Sequence, residues 1–136
     1  LASADYHRFA YIDQGQHDGH EEVDGHLHSV SPYALRKGLP IFEENYRQYC
    51  VLETENFGRV VHLDVGAMAI GSIIQNQSSG GQFQRGDEKG YFEFGGSTII
   101  LLFEKDRMQI DDDIAHYSEQ GIESLVKYGQ KIGTSP

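Results

Sequence analysis

A glycine-rich segment that runs directly into an apolar strand constrains this chain more than any other feature. Residues 86–98 read GDEKGYFEFGGST and continue into Ile99 to Phe103, a β-branched and apolar run typical of a buried strand. The adjacent glycines Gly95 and Gly96 allow the backbone to bend sharply or to be approached closely. Ser97 follows them at the edge of the strand, where its hydroxyl would be held in a defined position. On spacing alone, a glycine-rich turn with an ordinary serine is the simpler interpretation.

The remaining patterns predict a mostly β, α+β fold: an antiparallel β-sheet or barrel-like single domain with one or two short helices. A short helix is predicted over Ile41 to Tyr49, after Pro40, and one helical turn over 114–120. The polar segments 16–25 and 75–85 are predicted to be surface loops or hairpins. Strands are predicted at 26–30, 50–54, 59–65, 67–74, 91–94, 98–103, 107–110 and 124–128.

Composition limits the possible partners. A length of 136 residues with 38% hydrophobic residues is typical of one globular domain. The net charge of −10 argues against nucleic acid and against electrostatic docking on an anionic membrane, since both need a basic surface. The single cysteine, Cys50, allows no internal disulfide, and no stretch is long enough for a transmembrane helix. The chain begins at Leu1 rather than Met, so an upstream segment is expected to be missing.

Seven histidines raise the question of a metal site. His17 and His20 lie in HDGHEE, and His26 and His28 form an H-x-H pair that would place both imidazoles on one face of a strand. The glycine-containing HDGHEE segment does not match a helical HExxH motif, so a solvated loop is the preferred interpretation and no metal is predicted. His62 is expected to be a surface or half-buried structural residue.

His7 stands in a different context, within Asp5-Tyr6-His7-Arg8-Phe9. A half-buried histidine near charged partners is a common arrangement for proton transfer near neutral pH. In isolation, a hydrogen-bonded core histidine is at least as good an interpretation.

Five separated stretches resemble the phosphatidylserine decarboxylase family of pyruvoyl-dependent decarboxylases, in family order and over essentially the whole chain. A lone GGST would be weak evidence, whereas GGST preceded by KGYFEF and combined with an upstream DYHR is specific. The stretches are DYHRF at 5–9, GHLHSVSPYAL at 25–35, VGAMAIGSI at 65–73, GDEKGYFEFGGSTIILLFEKD at 86–106 and VKYGQKIG at 126–133.

The resemblance implies a proenzyme that cleaves its own backbone between Gly96 and Ser97. In such families the serine hydroxyl attacks the preceding carbonyl, and elimination and hydrolysis turn the serine into a pyruvoyl group. The products would be a β chain, 1–96, and an α chain, 97–136. The pyruvoyl group is then expected to form a Schiff base with a substrate amine and to accept electrons as carbon dioxide leaves.

The resemblance also suggests the site residues. Ser97 is the expected precursor of the cofactor, and His7 is expected to deliver a proton or to position the carboxylate during decarboxylation. The expected neighbourhood of the site comprises Tyr6, Arg8, Ala10, His28, Gly95 and Thr98.

One position departs from the family pattern, which commonly continues DYHR-x-H with a second histidine as the base for self-cleavage. Here that position is Ala10, which cannot move a proton. Ala10 indicates either a divergent subgroup that processes differently or an engineered block. An aspartate expected upstream would lie before Leu1.

Three functions remain open on the sequence. The first is conversion of phosphatidylserine to phosphatidylethanolamine, the second is decarboxylation of a free amino acid, and the third is an unprocessed, inactive β domain. The expected partners are a substrate with a primary amine, the α and β chains of one precursor and a second copy in a homodimer, but no nucleic acid. The expected location is the cytoplasm or the periphery of the cytoplasmic membrane.

Overall fold

Antiparallel strands are the main regular structure in the computed structural model, which describes residues 1, 5–68, 72–93 and 96–136. Three short helices accompany them: α1 (Pro32–Leu35), α2 (Ile41–Glu44) and α3 (Asp112–Glu119). The strands are β1 (Arg8–Ala10), β2 (Gly15–His17), β3 (Glu21–Val23), β4 (Arg47–Thr54), β5 (Gly58–Gly66), β6 (Ser72–Gln75), β7 (Gly81–Phe83), β8 (Glu88–Glu93), β9 (Ser97–Phe103), β10 (Gln109–Ile110) and β11 (Gly133–Thr134).

Two open sheets carry most of this structure. The larger has the strand order β7-β2-β4-β5-β9, with β3 also paired to β4. The smaller has the order β1-β8-β6, and β10 and β11 form a separate two-stranded ribbon. Every pairing between named strands is antiparallel in the described part of the chain. This confirms the predicted mostly β fold with short helices.

The long hairpin β4–β5 and its neighbour β9 form the centre of the larger sheet. Leu52 and Val60 face each other across the hairpin and are fully buried, and Val60 is in turn paired with Phe103 of β9. Because side chains alternate between the two faces of a strand, the inner face of the sheet continues through Cys50 and His62. A second cluster of Phe9, Ile73 and Phe92 lies in the smaller sheet, and Ile99 of β9 packs against it.

The predicted strands are confirmed where an apolar run is bounded by residues that favour turns. Strands at 50–54, 59–65, 91–93 and 98–103 are present, and the turn between the first two ends at Gly58, whose φ of 69° suits glycine. The predicted turn of helix at 114–120 is part of α3, which starts at Asp112 next to an acidic run. Phe94, the last residue of the predicted strand 91–94, and Gly71, the position of the predicted bend, lie outside the described residues.

Two predicted strands are wrong, and one predicted helix is present but shorter than predicted. Residues 26–30 make one isolated bridge, between His26 and Asn45, instead of a strand. The predicted helix over Ile41 to Tyr49 ends at Glu44, because Asn45 is held by tertiary hydrogen bonds and the chain then enters β4. The segment predicted as a strand at 124–128 is irregular. Leu125 is 91% exposed, so this apolar side chain has no sheet to pack against.

The polar segments 16–25 and 75–85, predicted as loops or hairpins, contain β3, β7 and most of β2, each paired with a neighbouring strand. His17 is buried rather than solvated, and His62 is buried rather than at the surface. Both belong to the interior between the sheets. Within the described residues, none of the helices has the length and apolar character needed to cross a bilayer.

Candidate active site

Ser97 is the first residue of β9 and lies opposite Gly66 at the end of β5. Its side chain and backbone are fully buried. The same face of β9 carries Ile99, which is paired with Asp64, so the hydroxyl of Ser97 faces the interior of the domain. The sequence prediction that the glycine-rich segment presents Ser97 at the start of a strand is therefore confirmed in its geometry.

His7 is the side chain that meets Ser97. Its Nδ1 lies 3.0 Å from Oγ of Ser97, a hydrogen bond between residues 90 positions apart in sequence. The smaller sheet holds His7 there, because the backbone N–H of Phe92 donates to the His7 carbonyl at 3.0 Å and the two rings meet edge-on. When Nδ1 carries no proton, it accepts the proton of the serine hydroxyl. This is the contact that a general base needs.

The backbone around the Gly96–Ser97 bond is closely packed. A Cβ on Gly96 would lie 3.2 Å from Cγ2 of Val30. The backbone amine of Leu1 donates to the carbonyl of Ser97 at 2.8 Å, and the N–H of Ser97 donates to the carbonyl of Leu1 at 3.4 Å. Gly95, a predicted member of the site, lies outside the described residues.

Four other predicted members lie at varying distance from the His7–Ser97 contact. Thr98 is the next residue along β9 and pairs with Val65. The exposed Tyr6 packs its ring edge-on against Tyr128, with centroids 5.1 Å apart. Arg8 turns to the surface, where it donates to Glu88 at 2.6 Å, and His28 places Nε2 at 3.5 Å from the carboxylate of Glu44. Arg8 and His28 therefore make surface ion-pair contacts.

Ala10 ends β1, opposite Glu88, after a bulge between Phe9 and Ala10. It is three positions along the chain from His7, about 10 Å at the usual rise per residue of a strand. The residue that contacts the hydroxyl of Ser97 is His7, at 3.0 Å.

Asn45 was missed by sequence reasoning, which placed it in a helix. It is fully buried, and its Nδ2 donates to the carbonyls of His28 and Gly66, each at 2.8 Å. Its Oδ1 accepts from the N–H of His28 at 2.9 Å. Because Gly66 is the strand partner of Ser97, Asn45 anchors the backbone opposite the candidate nucleophile. The low preference of asparagine for helix interiors is the signal that should have been used.

A buried ion pair was also missed. Nζ of Lys89 lies 2.8 Å from Oδ2 of Asp64, and both side chains are fully buried. Oδ1 of Asp64 contacts Nε2 of His62 at 2.9 Å, and Gln75 bridges Asp64 and Lys89 through its amide. Burial alone would raise the pKa of Asp64, but the hydrogen bond from His62 and the charge of Lys89 lower that pKa to about 2.

A third buried polar group lies beside this pair and contains the residues best suited to a metal ion. His17, His20 and Cys50 bring their ligand atoms within 4.8 Å of one another. Burial lowers the pKa of both imidazoles, to about 4 for His20, and raises the pKa of the Cys50 thiol to about 11. This arrangement is separate from the contact between His7 and Ser97.

Comparison with known proteins agrees with the resemblance. A family model described as phosphatidylserine decarboxylase matches residues 1–134. The chain is 48% identical over 134 residues to the phosphatidylserine decarboxylase proenzyme of Clostridium botulinum (strain Eklund 17B / Type B) and 48% identical to that of Clostridium novyi (strain NT). The proenzyme of Clostridium beijerinckii is 46% identical over 134 residues.

Each of these alignments covers 98% of this chain but 45% of the relative, so the chain spans less than half the length of the curated relatives it matches. No solved structure matches it. The match nevertheless runs through both halves of the candidate site, from the DYHRF segment to the strand that begins at Ser97. The chain therefore belongs to the phosphatidylserine decarboxylase family.

Proposed function

We propose that this chain is the core of a self-processing decarboxylase precursor that cleaves itself at Gly96–Ser97 and then releases carbon dioxide from phosphatidylserine. The observation that carries the proposal is the 3.0 Å contact between Nδ1 of His7 and Oγ of Ser97, directly after a Gly–Ser peptide bond. The names of the relatives, which describe proenzymes of a phosphatidylserine decarboxylase, support it.

Processing begins with the proton of Ser97. Nδ1 of His7 accepts this proton while Oγ attacks the carbonyl carbon of Gly96, and the amide nitrogen leaves after taking a proton from the imidazolium. An ester now joins the two segments. Loss of the Cα proton of residue 97 expels the carboxylate of Gly96, and water hydrolyses the resulting enamine, through its imine form, to a pyruvoyl group with release of ammonia.

The fold suits the products of that cleavage. Segment 97–136 would stay attached, because β9 pairs with β5 along seven residue pairs. A pyruvoyl group at position 97 supplies an electron sink for the loss of a carboxyl group from a substrate amine. Buried position 97 keeps bulk water away, and His7 is placed to hold or to return a proton there.

Ala10 changes which residue serves as base. We infer that His7 performs both proton transfers in this chain, since position 10 lies about 10 Å farther along the strand from His7. Tyr6 and Thr98 would then contribute to the walls of the site rather than to its chemistry. A homodimer remains a prediction.

Processing can be tested by electrophoresis and intact mass on the purified chain. We expect the wild type to yield segments 1–96 and 97–136, Ser97→Ala to stay intact, and His7→Gln to process at least about a hundredfold more slowly. His116→Gln, in the exposed helix α3, is the matched control and should process normally. Cleavage of Ser97→Ala, or normal processing of His7→Gln, would overturn the proposal.

The substrate is tested separately. Carbon dioxide release from phosphatidylserine vesicles is compared with release from free serine, using processed protein. Release from the vesicles supports the lipid activity, whereas release from free serine alone would assign the chain to the amino-acid alternative. Processed protein that is inactive on both would contradict decarboxylase function while leaving self-cleavage intact.

A further inference from the structure

Two histidines and the single cysteine meet in the interior, on elements that are distant in sequence. His17 ends β2, His20 lies in the loop that follows, and Cys50 is in the middle of β4. Their ligand atoms lie within 4.8 Å of one another. His17 is 4% exposed and Cys50 is 2% exposed, and His20 is half-buried with both ring nitrogens shielded from solvent.

His20 provides the second observation. Both of its ring nitrogens are buried and lack a well-formed hydrogen bond, and the backbone of Ser78 offers the ring only a weak one. A buried polar atom without a partner is costly, so native proteins rarely retain one without a reason. A metal ion bound by one of these nitrogens would remove that cost.

The spacing is close to what a metal ion requires. Three atoms no more than 4.8 Å apart fit within a circle of about 2.8 Å radius, so an ion at its centre would be at most about that far from each ligand atom. Bonds from zinc to nitrogen and sulfur are about 2.0–2.3 Å long. Each ligand atom would therefore need to move inward by at most about 0.5–0.8 Å, which a short loop and two side-chain rotations can supply.

We propose that His17, His20 and Cys50 bind one Zn²⁺ ion through two nitrogen atoms and one sulfur atom, with water completing a tetrahedral shell. Mixed nitrogen and sulfur ligands favour zinc over magnesium or calcium. Binding requires one ring nitrogen of His17 to give up its contact, with Tyr11 at 2.9 Å or with Gly19 at 3.2 Å, whereas His20 has only a weak contact with Ser78 to lose.

The charge of the surroundings permits this site. The ammonium of Lys89 lies close enough to lower the pKa of His17, His20 and Cys50, and it would repel a bare cation. Asp64 offsets that charge from 2.8 Å. The thiol loses its proton on binding, so that the ligand set itself carries a negative charge. The ion would tie the loop at His20 to β4 and would act independently of processing at Ser97.

The test uses Co²⁺ as a spectroscopic substitute for Zn²⁺ on the purified chain. We expect one equivalent of Co²⁺ to produce the charge-transfer absorption of a cobalt–thiolate bond, which can come only from Cys50, the single cysteine. Zn²⁺ should displace the cobalt and abolish the absorption, and saturating Zn²⁺ should raise the melting temperature.

Variants separate this site from surface histidines. His20→Gln should bind cobalt at least about tenfold more weakly without unfolding, because the His20 ring makes no well-formed hydrogen bond that the variant would lose. Cys50→Ser should lose the thiolate absorption. His26→Ala is the matched control, since His26 and His28 form a pair of surface rings 5.1 Å apart. Absence of the thiolate absorption, or binding that His26→Ala abolishes and His20→Gln does not, would overturn the proposal.

Discussion

Replacing Lys89 with methionine should destabilise the domain by about 3–5 kcal/mol, the usual cost of removing one partner from a buried ion pair. Lys89 and Asp64 are both fully buried and 2.8 Å apart, so Lys89→Met leaves a carboxylate without its cation in the interior. The carboxylate keeps hydrogen bonds with His62 and Gln75, which places the expected loss near the lower end of that range. Against a typical total of about 5–15 kcal/mol, this is a large fraction of the stability.

Urea unfolding at neutral pH measures the loss. Arg59→Met is the matched control: the pair between Arg59 and Glu104 has a similar separation of 2.9 Å, but its side chains are 67% and 40% exposed. That variant should cost about 1 kcal/mol or less. Lys89→Met combined with Asp64→Leu should recover most of the loss, because no uncompensated charge remains. A Lys89→Met loss below about 1 kcal/mol, or a double variant no more stable than the single one, would refute the reasoning.

Three further predictions concern stability. The pKa of Asp64 in the folded protein is about 2, below its ordinary value of 3.8. Ionised Asp64 therefore contributes about 2 kcal/mol to the free energy of unfolding above pH 5, and this contribution is lost as the pH falls towards 2. If urea titration shows that Asp64→Asn loses no less stability in acid than the wild type does, this prediction is contradicted. Asn45→Ala should cost about 2–4 kcal/mol in urea unfolding, since it leaves buried backbone groups of two segments unpaired, and an unchanged unfolding midpoint would argue against that anchor. Leu52 is fully buried, so Leu52→Ala should lower the free energy of unfolding by about 2–5 kcal/mol, measured by heat or urea. Leu125 is 91% exposed, so Leu125→Ala should change it by less than about 0.5 kcal/mol. Equal effects of the two variants would contradict the assigned core.

The central hairpin, β4–β5, was predictable because two strand-forming segments flank a clear turn sequence. β4 and β5 are apolar or β-branched along much of their length, and the intervening residues 55–58 end in a glycine that the turn requires. The strand predicted at 124–128 failed because an apolar stretch forms a strand only where a neighbouring strand edge is available. The helix predicted through Asn45 failed because three tertiary hydrogen bonds outweigh a weak local preference.

The candidate site was predictable only through resemblance to a family. No rule of sequence spacing connects His7 with Ser97, which lie 90 residues apart. The connection came from the two family motifs, DYHR and GGST, that contain these residues. The buried polar interior was missed because His62 was expected at the surface or half-buried, and the alternation of His62 and Asp64 with Val61 and Leu63 does not show which face is inside. In the structure His62 and Asp64 face inward, where Lys89, from a separate sheet, supplies the compensating charge.

We propose that Ser97 is the precursor of the catalytic group and that His7 activates it. The intact mass of the purified chain after incubation at neutral pH tests this most directly. We expect two segments, 1–96 and 97–136, with the second bearing a pyruvoyl group in place of its N-terminal serine. A single uncleaved wild-type chain that persists on prolonged incubation would contradict the role of His7, and an Ala10→His variant that also stays uncleaved would contradict the role of Ser97.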